Sequence, residues 1–338
     1  MRQVFNMSEY VLQLEHIAKS FFGIAALKDV SFALEKGELL SLIGENGAGK
    51  STLMNIIGGV LKADKGNLFL NGSPYEPHRP SDATKAGIAF IHQELNLFTN
   101  LSIIDNMYID SYPRIPGTPL IRKSAVAEKV KEVLASVDLD VPPETIVEKL
   151  SPGERQLVEI AKALSSDPQI FIFDEPTTSL TARETEKLFA ILERLKQEGK
   201  SIIYISHILA DVQRLSDHII VLRDGTITDN DRKENYTINR MISSMIGREI
   251  DQLYPTKTNH PSAEPVLELR DISQKGITYH VSMKVHKGEV VGMFGLMGSG
   301  RSELARIVYG LDPHEEGKIL IHGREISKIT PRLAIKNN

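Results

Sequence analysis

The chain has no cysteine, which excludes disulfides and thiolate metal sites and is compatible with a reducing cytosol. It lacks a basic excess as well. Its 40 Lys and Arg against 44 Asp and Glu leave a formal net charge of -4, whereas proteins that coat nucleic acid carry a cationic surplus to displace counterions from phosphates. No nucleic-acid partner is expected. No stretch approaches the ~18 apolar residues of a membrane span, and Met1 to Tyr10 has no apolar centre of the kind a secretory signal needs. Met7, just before the first strand-like segment, competes with Met1 as the true start. What is present is ordinary globular material: 338 residues, 41% hydrophobic and 25% charged, enough for one large core or two smaller ones.

Apolar runs at Leu39 to Ile43, Ile170 to Phe173 and Ser201 to Ile205 read as buried strands, with a further strand at Tyr10 to Leu14. Amphipathic helices are expected over Ser124 to Val137, Glu154 to Leu164 and Arg183 to Lys196, and a loop over Ser111 to Pro119. The alternation indicates α/β layering. A proline-bearing stretch, Tyr254 to Pro265, then precedes an echo of the beginning. Lys36-Gly37-Glu38 returns as Lys287-Gly288-Glu289, Gly49-Lys50-Ser51 as Gly300-Arg301-Ser302, Gly66 as Gly317 and Asn71-Gly72 as His322-Gly323, all at one offset of 251 residues. A shared offset indicates a duplicated domain. The expected organisation is a complete domain over residues 8–248, a linker over 249–264 and the opening part of a second copy over 265–338, too small to bury a stable core unless it docks.

Gly44-Glu45-Asn46-Gly47-Ala48-Gly49-Lys50-Ser51, followed by Thr52, follows a strand and opens a helix. Glycines let successive backbone N–H groups face phosphates, the Lys50 ammonium neutralises the β- and γ-phosphates, and the Ser51 hydroxyl can ligate Mg²⁺. A glycine-rich turn that merely caps a helix is the plainer alternative, and the lysine and serine at fixed spacing argue against it. ATP and Mg²⁺ are therefore the expected ligands.

Further motifs follow in order: Ile91-His92-Gln93-Glu94, Leu150-Ser151-Pro152-Gly153-Glu154-Arg155-Gln156, Ile170 to Glu175, Ser179-Leu180-Thr181, and His207 after a strand. With these the sequence resembles the ATP-binding cassette family. The resemblance implies a P-loop NTPase fold with a RecA-like core, an antiparallel β subdomain and a helical signature subdomain. It implies that Asp174 holds the Mg²⁺ water shell with Ser51 and Gln93, that Glu175 polarises the attacking water, and that His207 contacts the γ-phosphate. Phe21, with Phe22 as the alternative, would stack on adenine, and a core phenylalanine is the competing reading. Ser151 and Gly153 would meet a γ-phosphate held by a second domain, although Ser151 to Glu154 also reads as a capped helix start with Pro152 at its first position.

Phe22-Gly23-Ile24-Ala25-Ala26-Leu27, His92-Gln93-Glu94-Leu95-Asn96-Leu97 and Val158 to Leu164 look like the fused ATPase subunits of bacterial monosaccharide importers. In that branch an intact first domain is joined to a degenerate second. Arg301 stands where lysine belongs, and a planar guanidinium is a poor substitute for a compact ammonium among phosphates. The second copy is also four residues shorter where Phe21 and Phe22 lie. The implied partners are integral-membrane permease subunits, an extracytoplasmic sugar-binding protein acting indirectly, and a second cassette domain in cis or in trans; the implied location is the cytoplasmic face of the membrane. A non-hydrolysing ATP-binding remnant and a soluble non-transport ATPase of the same family are the rival readings.

Overall fold

Leu39–Ile43 and Ser201–Ile205 are buried at every position, and a strand with no polar face belongs in the parallel part of a sheet covered on both sides. The computed structural model describes residues 10–93, 95–109, 112, 124–178, 180–247, 260–295 and 298–336, in two units, Met1–Leu253 and Tyr254–Asn338. The expected loop over 111–119, apart from Tyr112, lies outside the described residues. So do most of the expected linker, Glu94, Ser179, Leu296 and Met297.

The first unit runs β1 (Tyr10–Phe21), β2 (Ile24–Glu35), β3 (Leu39–Ile43), α1 (Lys50–Ile57), β4 (Lys65–Leu70), β5 (Ser73–Pro74), α2 (Pro80–Lys85), β6 (Ile88–Ile91), α3 (Ile103–Tyr108) and α4 (Ser124–Ser136). It continues with α5 (Pro152–Leu164), β7 (Ile170–Asp174), α6 (Ala182–Gln197), β8 (Ser201–Ile205), α7 (Leu209–Leu215), β9 (His218–Arg223), β10 (Thr226–Arg232) and α8 (Ile238–Ile246). The strands join in the order β5-β4-β1-β2-β10-β9-β3-β8-β7-β6. From β9 to β6 neighbouring strands are parallel, and from β5 to β2 they are antiparallel. β1 reaches well past the expected Leu14, because irregular pairing with β2 and β4 carries it through polar residues that break the apolar alternation.

Period-two alternation divides the parallel strands between two cores. Ile170, Ile172, Ile203 and Ile205 pack with Leu53, Met54 and Ile57 of α1, while Phe171, Phe173, Ile202 and Tyr204 pack with Leu134, Leu157, Ile160, Leu188 and Leu192 of α4 to α6. Each such side chain contributes about 1.5–3 kcal/mol by leaving water. Because β3, β8 and β7 are parallel neighbours, their carboxyl ends lie along one edge, the side on which open α/β sheets place ligands.

The second unit contains β11 (Pro265–Gln274), β12 (Thr278–His286), α9 (Arg301–Tyr309), β13 (Glu316–Ile321), β14 (Arg324–Glu325) and α10 (Pro331–Lys336). Its four strands are ordered β12-β11-β13-β14, matching β2-β1-β4-β5. The match extends to atoms. The N–H of His16 donates to Ser31 Oγ at 2.8 Å and that of Asp271 to Ser282 Oγ at 2.9 Å. The N–H of Glu35 donates to Glu38 Oε2 and that of His286 to Glu289 Oε2, both at 2.7 Å. Gly66 and Gly317 both press against two carbonyls of the first strand, Glu15 and His16 in one case and Arg270 and Asp271 in the other. The repeat read from one offset is a repeat of structure.

Candidate active site

Gly49 caps α1 at φ 110°, and a Cβ there would lie 2.7 Å from the Ala26 carbonyl oxygen and from Leu27 Cδ2. Strand β2 thus passes directly behind the loop, and only glycine fits. Gly44 is buried, Ala48 packs into the core, and Glu45, Asn46 and Gly47 are exposed. Lys50 is only 8% exposed. Its Nζ donates to the carbonyls of Gly44 at 2.6 Å and Glu45 at 3.1 Å, so the ammonium lies inside the curve of the loop. Burial lowers the Lys50 pKa, and the charges of Glu175 and Asp174 pull it back up. Ser51 is exposed and Thr52 half-buried at the first turn of α1.

Asp174 ends β7, half-buried. Burial, then the neighbouring Glu175 charge, push its carboxyl up, while His92 and Lys50 act the other way. Glu175 leaves the strand with φ 48°, a left-handed conformation that costs on the order of 1 kcal/mol at a residue bearing a side chain. Three bonds hold it there: its N–H donates to the Ile205 carbonyl at 2.9 Å, and its carbonyl accepts from Thr178 Oγ1 at 3.1 Å and from the Thr178 N–H at 3.5 Å. Oε2 of Glu175 accepts from Gln93 Nε2 at 3.3 Å and lies 3.2 Å from His207 Nδ1. Residues 93, 175 and 207, far apart in the chain, meet at one carboxylate oxygen.

Phe21 and Phe22 stand at the β1–β2 hairpin, where Phe22 and Gly23 both have positive φ, the geometry of a two-residue type I′ turn. Phe21 is 38% exposed with Lys19 Nζ 5.7 Å from its ring centre, and Phe22 is wholly exposed. The ring is therefore not in the core. In the second unit the shorter hairpin turns at Gly276, whose N–H donates to the hydroxyl of an exposed tyrosine, Tyr279, at 2.8 Å.

Ser151 is the N-cap of α5: its Oγ accepts from the Glu154 N–H at 3.2 Å, and the Glu154 carboxylate accepts from the Ser151 N–H at 2.7 Å. Pro152 takes the first helical position. The Glu184 carboxylate lies against Gly153, in the space a Cβ would fill. Glu184 itself caps α6 by accepting from the N–H and Oγ1 of Thr181, each at 2.8 Å. The Ser151 hydroxyl is thus already engaged within its own helix end. A Cβ at 153 would require the Glu184 carboxylate to shift, so Glu184, absent from the motif reading, ties the start of α5 to the cap of α6.

Three comparisons bear on this arrangement. The sequence pattern of the ABC transporter family matches residues 27–178 and 278–337. The chain belongs to the ABC transporter family. Both matched stretches begin at corresponding residues of the repeat, Leu27 and Thr278. The cassette is 41% identical over 327 residues to a putative ribose/galactose/methyl galactoside import ATP-binding protein of Pseudomonas syringae pv. tomato, covering 97% of this chain and 62% of that one. It is 42% identical over 341 residues to a xylose import ATP-binding protein of Thermoanaerobacter pseudethanolicus, covering 98% and 67%. It is 38% identical over 328 residues to a ribose import ATP-binding protein of Lacticaseibacillus paracasei, covering 97% and 65%. The chain therefore spans 62 to 67% of the length of these relatives. Among solved structures, an ATP-binding cassette of an ABC transporter in its ADP conformation is 27% identical with a TM-score of 0.63, over 71% of this chain and 99% of that one. A dimeric cassette in a post-hydrolysis state, bound to ADP and Pi, is 25% identical with a TM-score of 0.57, over 67% and 100%.

Proposed function

We propose that this cassette hydrolyses ATP as the motor subunit of an importer, coupling nucleotide binding and turnover to monosaccharide uptake through a membrane permease at the cytoplasmic face. The observation that carries the reading is the meeting of Gln93, Glu175 and His207 at Glu175 Oε2, along the sheet edge that also bears Lys50.

In this reading Lys50 and the N–H groups from Gly44 to Thr52 hold the phosphates, and a helix N-terminus in low dielectric is well suited to them. Phe21 stacks on adenine from the exposed hairpin. Glu175 accepts a proton from the attacking water while His207 and Gln93 orient its carboxylate and sense the γ-phosphate. Ser51, Gln93 and Asp174 supply hard oxygen donors, few enough to leave room for water and phosphate oxygens, which is the coordination Mg²⁺ takes. Mg²⁺ there would neutralise charge on the β- and γ-phosphates. Ser151 and Gly153 face a nucleotide held by a second cassette domain, supplied in cis or by another copy, and Gln93 and its neighbours carry the closure to the permease. The relatives' names, which specify ribose, galactose and xylose import, support a monosaccharide cargo; in this reading an extracytoplasmic binding protein delivers it.

The test is ATP hydrolysis by the purified chain over a range of protein concentrations, with Lys50→Ala as the blank. Activity that rises with concentration and is lost in Glu175→Gln supports the reading. Full activity in Glu175→Gln removes Glu175 as the base, and ATP bound without turnover at any concentration makes the chain a binding remnant.

A further inference from the structure

Asp211 is a carboxylate that the reaction above leaves unused. It lies in the first turn of α7, four residues after His207, and its Oδ2 accepts from Thr177 Oγ1 at 2.9 Å and from the Tyr204 hydroxyl at 3.4 Å. Thr177 and Tyr204 are buried. Thr177 follows Glu175 by two residues, and Tyr204 precedes His207 by three. One oxygen therefore ties together the turn that follows Glu175, the strand that leads to His207 and the helix that follows it.

Helix α7 has anchors besides Asp211, chiefly its buried apolar face. Arg214 forms two bonds to the Glu186 carboxylate of α6, at 2.6 and 2.8 Å, and its guanidinium lies 4.8 Å from the Phe189 ring centre. Val212 and Leu215 are buried beneath it. The left-handed backbone at Glu175 needs an anchor as well, because such a conformation persists only where the surroundings over-determine it. The bonds made by the Glu175 peptide groups fix the residue to β8 and to its own turn. The Thr177–Asp211 bond is a side-chain tie that holds that turn to α7, the helix that follows His207.

We propose that Asp211 is a positioning residue which, through Thr177, keeps the Glu175 carboxylate aimed at His207. The proposal rests on Glu175 acting on the attacking water. Misplacement of a catalytic group by about 1 Å costs up to about a hundredfold in rate, with little effect on ground-state binding.

The experiment compares the full chain with Asp211→Ala, Thr177→Val and Asp211→Asn, reading ATP turnover, affinity for a fluorescent ATP analogue, and hydrogen exchange at the amides of Glu175, Thr178 and Leu180. Asp211→Ala and Thr177→Val are expected to lower turnover about tenfold or more while affinity stays within about twofold. Exchange at the three amides should quicken by a similar factor, while that of β3 is unchanged. Asp211→Asn, which still accepts from Thr177, recovers most of the turnover. Normal turnover and normal exchange in Thr177→Val overturn the proposal even if Asp211→Ala does not fold, and equal losses of affinity and turnover overturn it too. If the unaltered chain shows no turnover, the hydrolysis reading fails by itself, and the exchange measurement alone decides whether Asp211 positions Glu175.

Discussion

Leu39–Ile43 and Val290-Val291-Gly292-Met293-Phe294 occupy the same place in the repeat and have nearly the same apolar character, yet one is the central strand β3 and the other is not a strand. Ile43 is fully buried, whereas Val290 is 92% exposed and Phe294 is 98% exposed. The difference lies in the neighbours. β3 pairs on one side with β8 and on the other with β9, and the described residues of the second unit contain no counterpart of either. What the second unit does retain, the β11–β12 hairpin, β13 and helix α9, closes a small core of Leu269, Ile272, Leu304, Ile307 and Ile319 by local contacts. A buried parallel strand is thus made by remote partners, and its sequence only permits it.

Matched substitutions sharpen this comparison. Ile43→Ala should destabilise the first unit by about 2–5 kcal/mol in denaturant unfolding, whereas Phe294→Ala should change stability by less than about 0.5 kcal/mol; comparable losses would mean that the second stretch is packed in solution. Lys50→Arg copies the second unit's Arg301 into the first. Because a planar guanidinium is a poor substitute for the compact ammonium that bonds the Gly44 and Glu45 carbonyls, turnover should fall about a hundredfold or more, and near-normal turnover would show that the arginine does not account for divergence of the second loop. The smallest effect is expected at the exposed pair His16–Asp29, which the second unit carries with residues exchanged as Asp271–His280, both at 2.9 Å. Exchanging the first pair to match should leave the melting temperature unchanged within error, since exposed ion pairs contribute little.

The glycine-rich loop ahead of α1 and the repeat were legible because both depend on fixed spacing, which a single sequence displays. Asp174, Glu175 and His207 were legible as strand ends once the loop supplied context, and the sheet order then explains why they share an edge. Thr177–Asp211 and Glu184–Gly153 were not, since each joins residues on different elements and neither has a spacing rule of its own. The later part of β1 and the polar strand β10 were missed for another reason. Their residues face solvent or lie at irregular pairings, so the alternation that betrays a strand is absent. The fate of residues 290–294 was beyond local reading, because it depends on strands elsewhere.

The exposed run from Val290 to Phe294 also governs how the purified chain behaves as a colloid. A short apolar, uncharged segment with β-forming residues and free backbone groups is prone to self-association. Light scattering should therefore accompany every kinetic titration of this chain, because clustering through that segment would raise local cassette concentration and imitate the pairing of two cassette domains. Val290→Lys, which places a charge on the segment and leaves the sequence of the first unit unaltered, separates the two causes of a concentration-dependent rate.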